Sequence, residues 1–226
     1  MPAVDVAVSC ASITLALAAL FGLATRRKVR ICWLFPAYLL SVALGHGALL
    51  VSSGALWTWQ FWAATDALQA VLRLGVAIEI GRKAFGSLPQ ARRLLGLSFL
   101  FACFGIATGV LLYPRPLVDA FELVLVVGWV SYGVAFLFVG FLMLTLAYGV
   151  PLDPLHRAIA VGFALASAFL AFTHSFPAHA DLGRAWLSKT SYPLILAFWT
   201  WAAWRRDDLS GMSTEAIARL WPWRRP

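Results

Sequence analysis

The chain has 226 residues and a formal net charge of +8, yet 62% of it is hydrophobic and only 12% is charged, with a mean hydropathy of +0.81. Soluble globular domains carry about 25% charge, so this composition excludes an ordinary water-soluble fold. The Lys and Arg residues stand in short clusters between apolar runs and never interleave with aromatics on a polar domain, which excludes nucleic acid as the partner and leaves the lipid bilayer.

Apolar runs of spanning length occur at Val6 to Ala24, Ile31 to Leu50, Leu56 to Ile80, Leu94 to Leu112, Phe121 to Tyr148, Ala158 to Phe176 and Ala185 to Trp204. A transmembrane helix needs about 20 such residues, so seven spans are predicted; the fifth run is long but too short to divide into two. The first run has Asp5 ahead of it and Arg26, Arg27 and Lys28 behind it. This order is the reverse of a cleavable signal peptide and predicts an uncleaved first helix that starts outside. Taken by alternate loops, fourteen Lys and Arg residues fall on one side, at 26 to 30, 82 to 93, 157 and 205 to 225, against Arg115, Arg184 and Lys189 on the other. Positive charge stays inside, so the first set is cytoplasmic. The predicted fold is all-α: a polytopic inner-membrane protein whose residues 1–206 form a seven-transmembrane-helix bundle, N-terminus outside and C-terminus cytoplasmic. Residues 207–226 form a short basic cytoplasmic tail.

Trp57, Trp59 and Trp62 are expected to anchor the outer end of the third run, and Trp199, Trp201 and Trp204 the inner end of the seventh. Gly105 and Gly109 form a GxxxG for close helix packing. In the tail, a short helix capped by Ser213 precedes Trp221 and Arg224, a combination suited to anionic lipids of the cytoplasmic leaflet. Cys10, Cys32 and Cys103 fall singly in apolar runs with no metal-ligand spacing and read as small buried hydrophobes.

Ionisable groups are costly inside a bilayer and usually face the protein interior. The third run holds Asp66, Arg73 and Glu79. Asp66, Gln69 and Arg73 fall within roughly 60° of one helix face, whereas Glu79 lies elsewhere, near the cytoplasmic end, where it can pair with Arg82 or Lys83. Asp66 and Arg73 are about 10 Å apart in rise, so they need either Gln69 as a bridge or partners on other helices. His46 on the second run, Glu122 on the fifth, and Lys189, Ser191 and Tyr192 on the seventh share the depth of Asp66. Together they are the candidate lining of a polar cavity open to the periplasm, competing with a buried ladder that merely fixes packing. His174 and His179 have no strong zinc spacing, and no cofactor is assigned.

A lysine in a seventh helix invites comparison with microbial rhodopsins, but Ala185 stands where those proteins carry a carboxylate, four positions before Lys189. The seven-helix metal-dependent hydrolases of the ceramidase type need histidines in the last helix, and this run has none. The stretch from Phe61 to Leu94, with Asp66, Glu79, Gly81, Arg82, Lys83, Ala84, Phe85 and Pro89 before Arg92 and Arg93, resembles a pattern in uncharacterised bacterial seven-transmembrane-helix membrane proteins. The resemblance covers the third run and the loop after it, and implies the fold without an activity.

The expected role is receptor-like or accessory: a ligand enters the outer cavity, helices shift, and the basic loops and tail address a membrane or cytoplasmic protein partner. The alternative is a small proton-coupled transporter using Asp66, Arg73 and Glu79. An intramembrane lipid-modifying enzyme, with Asp66 and His46 as acid and base, has the least support because no nucleophile or metal triad accompanies them.

Overall fold

The computed structural model describes residues 3–52, 58–85, 93, 96, 97, 100, 120–147, 152–174 and 182–205. Among them the chain is all-helical, with six helices and no strand: α1 (Ala3–Thr25), α2 (Leu34–Val51), α3 (Trp59–Phe85), α4 (Ala120–Ala147), α5 (Pro154–His174) and α6 (Leu182–Trp204). Six of the seven apolar runs coincide with these helices. The fourth run lies outside the described residues except for Leu97, Leu100 and Gly96, which are helical, as is Arg93 just before it. Gly105, Gly109 and the tail after Arg205 also lie outside them. Within the described residues, two helices are long and apolar enough to cross a membrane, over Val4–Thr25 and Leu34–Val51.

Local chemistry sets the helix ends. α1 stops where Arg27 enters the left-handed region at φ 53, with the Arg26 and Arg27 amides returning to the carbonyls of Gly22 and Ala24. A 3-10 turn at Lys28–Arg30 follows, so α2 begins at Leu34 and not at Ile31. Thr58 caps α3 by accepting the Phe61 N–H at 3.3 Å, and Asp153 caps α5 by accepting the Leu155 N–H at 2.8 Å. Pro154 fills the first position of α5, where its missing N–H costs nothing.

Each helix packs on its neighbour in sequence, and α6 closes the ring against α1. One end of the bundle is basic, gathering Arg26 to Arg30, Lys83 and Arg205. α1, α3 and α6 run toward it and α2 and α5 run away, as fixed by Lys28 Nζ donating to the Arg205 carbonyl at 2.8 Å and His156 Nε2 lying 3.0 Å from the Ile31 carbonyl. Phe85 at the end of α3 meets Phe141 near the end of α4 at 5.6 Å between ring centroids. Adjacent α3 and α4 therefore run in the same direction.

The core is aromatic. Trp199 of α6 is fully buried among Phe35, Tyr38 and Phe163 at centroid distances of 5.3, 5.9 and 4.8 Å, and Phe138 of α4 stacks on Phe163 at 5.1 Å. The expectation that Trp199 anchors at the interface is thus corrected: its ring is core, while Trp201 and Trp204 stay partly exposed at 54% and 40%. Two indoles of α6 use one device. Trp199 Nε1 donates to the Ala158 carbonyl at 3.2 Å, passing over Gly162. Trp204 Nε1 donates to the Ala18 carbonyl at 3.0 Å, passing over Gly22. In each case the glycine sits one turn beyond the accepting carbonyl, and its missing side chain opens the way for the indole. Thr200 adds a hydroxyl hydrogen bond to the Leu15 carbonyl at 3.0 Å, so α6 is stitched to both neighbours.

Candidate functional site

Two polar clusters occupy the bundle, and α3 supplies a member to each. The first surrounds Arg73. This arginine is 4% exposed, and its Nε donates to the Gln69 main-chain carbonyl at 3.2 Å, one turn back along its own helix. The Gln69 backbone carbonyl is thus a partner of Arg73. Arginine can do this because helical side chains lean toward the N-terminus. Arg73 acts electrostatically on Asp66 of α3, on Tyr38 of α2 and on Tyr192 of α6. The two tyrosine hydroxyls form a hydrogen bond of 2.7 Å across the bundle.

Of the residues singled out in the sequence, the structure thus brings Asp66, Gln69, Arg73 and Tyr192 into one neighbourhood. His46 lies at the same depth as Asp66, since the neighbouring Gly45 faces Thr65, where an added Cβ would sit 3.8 Å from Thr65 Cγ2. Its ring Nδ1 is 3.3 Å from the Ser9 hydroxyl of α1, so His46 joins α2 to α1. Ser191 is buried on α6. Glu122 and Lys189 lie on α4 and α6, but their side chains fall outside the described residues, as do those of Trp59, Trp62 and His174, and both Trp57 and His179. Tyr38 was missed in the sequence, although a tyrosine amid an apolar run always raises the question of where its hydroxyl finds a partner.

The second cluster sits at the basic end around Glu79. Its Oε1 accepts the Trp33 amide at 2.9 Å and its Oε2 the Leu34 amide at 3.0 Å. Cys32 Sγ donates to Oε2 at 3.3 Å, and Lys83 forms an ion pair with Oε1 at 2.9 Å. The first amides of a helix have no partner within it and carry partial positive charge, so Glu79 of α3 caps α2 from outside. Cys32 lies in the turn ahead of α2, where burial, and after it the charge of Glu79, push its thiol up to about 12. It therefore stays protonated and remains a donor. Lys83 also donates to the carbonyls of Ile31 and Arg30, and the Ile31 carbonyl lies against His156 of α5 as well. The Lys83 pairing was legible in the sequence, but the capping of α2 was not.

Among the described residues, no group of three His, Cys, Asp or Glu side chains is arranged to hold a metal ion. No known protein-family model, curated protein or solved structure matches the chain. The fold and clusters define a helical bundle with a buried charged group beside a tyrosine pair, and nothing more specific is shared with a known protein.

Proposed function

We propose that the chain is a multi-pass protein of the inner membrane, crossing it seven times with its N-terminus in the periplasm and its C-terminus in the cytoplasm. Its buried cluster around Asp66 and Arg73 receives a ligand from the periplasmic side in a receptor-like or accessory role. The observation that carries this reading is the inversion of surface and interior. Phe136, Leu194 and Val71 are 74%, 69% and 66% exposed, while Arg73, Lys28, His156 and several hydroxyls are buried. Water disfavours that distribution and a hydrocarbon solvent favours it.

The parallel course of α3 and α4 supports a seventh crossing, which this reading assigns to the fourth apolar run. The resemblance of Phe61 to Leu94 to uncharacterised bacterial seven-helix proteins belongs to the same proposal. The receptor-like role draws support from α3, which carries Asp66 and Arg73 at mid-length and outward and Glu79 at its basic end. A ligand that moves this helix pulls on the cap of α2. The basic end then faces the anionic leaflet and a protein partner.

The test is the accessibility of position 66. Asp66→Cys is made in a background of Cys10→Ala, Cys32→Ser and Cys103→Ala, the serine keeping a donor to Glu79. A membrane-impermeant thiol reagent added to intact cells should modify it, and Asp66→Asn should fold normally. An unreactive cysteine together with a destabilised Asn variant means that Asp66 is a sealed packing tether and that no ligand reaches it.

A further inference from the structure

The turn between α1 and α2 is tied to the end of α6. Lys28 is buried, and its Nζ donates to the Arg205 main-chain carbonyl at 2.8 Å. Trp204 Nε1 reaches the Ala18 carbonyl at 3.0 Å, and its ring lies 5.9 Å from that of Phe21, tilted by 43°. Arg26 and Arg27 directly precede Lys28, and the Arg26 amide bonds back to Gly22, the residue over which the Trp204 indole passes. These contacts bring Arg26 and Arg27 to the same corner of the bundle as Arg205.

All three arginines are exposed. Arg205 is also placed by Trp201, with its guanidinium carbon 5.2 Å from the ring centroid. Stacking engages the face of a guanidinium and leaves its edge of N–H donors for an anion. Among the described residues no carboxylate pairs with any of the three; Asp207 and Asp208 follow in the sequence, outside those residues. The α2–α3 corner of the same end differs, because Glu79 already supplies negative charge there to Lys83 and the Trp33 amide, three residues before Arg82.

Below its arginines the α1–α6 corner turns apolar. Phe21 is 61% exposed, and Trp201 and Trp204 are also open, as suits rings that settle between headgroups and acyl chains. Three cations above three exposed rings match one chemistry, an anionic headgroup joined to hydrocarbon chains. A soluble anion would leave the rings uncovered, and a zwitterionic lipid would bring its own cation toward the arginines.

We propose that the α1–α6 corner of the basic end is a binding site for one anionic phospholipid of the cytoplasmic leaflet. Its phosphate lies against Arg205, Arg26 and Arg27, where guanidinium edges suit a phosphate, and an acyl chain lies along Phe21 and Trp204. Bound there, the lipid joins the first helix to the last. This rests on the reading of the chain as a membrane protein with its basic end in the cytoplasm, and adds a localised lipid site to it.

The experiment is a thermal melt of the full chain in a neutral detergent, with phosphatidylglycerol, phosphatidylcholine or inorganic phosphate added. Phosphatidylglycerol should raise the melting temperature by about 3–6 °C when it stands tenfold above its Kd, and the other two should not. Arg205→Gln and Arg26→Gln should each remove most of the shift, and both leave Lys28 its main-chain acceptor. Arg82→Gln removes a charge from the same end of the bundle and should leave the shift unchanged. Should Arg205→Gln fail to fold, Arg26→Gln against Arg82→Gln decides. An equal shift from phosphatidylcholine, or an equal loss in Arg82→Gln, would mean that no localised anionic-lipid site exists and overturn the proposal. An equal shift from inorganic phosphate would make this a soluble-anion site and overturn it too. No shift from any of the three, in a chain that fractionates with membranes, overturns the lipid site and leaves the membrane reading standing. A chain that stays in solution without detergent overturns both.

Discussion

Replacing Gly162 with alanine is expected to destabilise the bundle by about 3 kcal/mol, seen as a fall of roughly 6–12 °C in melting temperature. A Cβ at this position would overlap Trp199 Nε1 and stand 2.5 Å from Cε2 and 2.8 Å from Cζ2. The indole has nowhere to retreat, because Phe35, Tyr38 and Phe163 hold it on its other sides. Moving it also breaks the hydrogen bond to the Ala158 carbonyl and leaves a buried N–H unpaired. Gly140→Ala is the control, since a Cβ there meets nothing within 4 Å; it should be neutral or stabilise α4 by up to about 1 kcal/mol. Circular dichroism melts of the two variants in the same detergent read the difference. Equal melts would show that Trp199 does not pack over Gly162.

Glu79→Gln is expected to cost about 2–3 kcal/mol, because hydrogen bonds to a charged group each contribute about 1.5–3 kcal/mol. Both carboxylate oxygens are in use: Trp33 and Lys83 donate to one, Leu34 and Cys32 to the other. An amide turns one acceptor into a donor and points it at donors, and it removes the charge that complements the start of α2. Lys83→Met removes the ion pair, together with the hydrogen bonds of Lys83 to the Ile31 and Arg30 carbonyls, and leaves the cap in place. Lys83 is partly exposed, at 40% for its side chain, and pairs of that kind contribute about 0–1 kcal/mol. The loss should therefore be several times smaller than for Glu79→Gln, measured by the same melts. Equal losses would mean that the contacts of Lys83 weigh as much as the Glu79 cap.

The features legible in the sequence are those carried by one helix at a time. Apolar runs of about 20 residues found six helices, and the 100° spacing placed Asp66, Gln69 and Arg73 on one face. The i, i+4 relation made Glu79 and Lys83 a pair. What was not legible depends on which helices are neighbours. Glu79 caps amides that lie 45 and 46 residues away in the chain. The openings at Gly162 and Gly22 acquire meaning only once α6 is known to lie between α5 and α1. Trp199 looked like an interfacial anchor because it shares the end of a run with Trp201 and Trp204. The side it faces separates them, and that is set by the packing of α5 and α6. The Tyr38–Tyr192 hydrogen bond joins α2 to α6, which no local spacing predicts.

The central claim, that the chain crosses the bilayer seven times with a charged cluster enclosed by lipid-facing helices, is tested most directly by locating its two ends. A reporter that is active only in the cytoplasm, fused after Pro226, should be active, and one that is active only in the periplasm, fused ahead of Val6, should be active as well. On this proposal six of the crossings are the described helices, among which α1 and α2 are long and apolar enough to cross by length and composition. The parallel course of α3 and α4 supports a seventh, and an odd number would put the ends on opposite sides. Finding both ends on one side of the membrane would contradict this, and with it the assignment of the Asp66 side of the bundle to the periplasm.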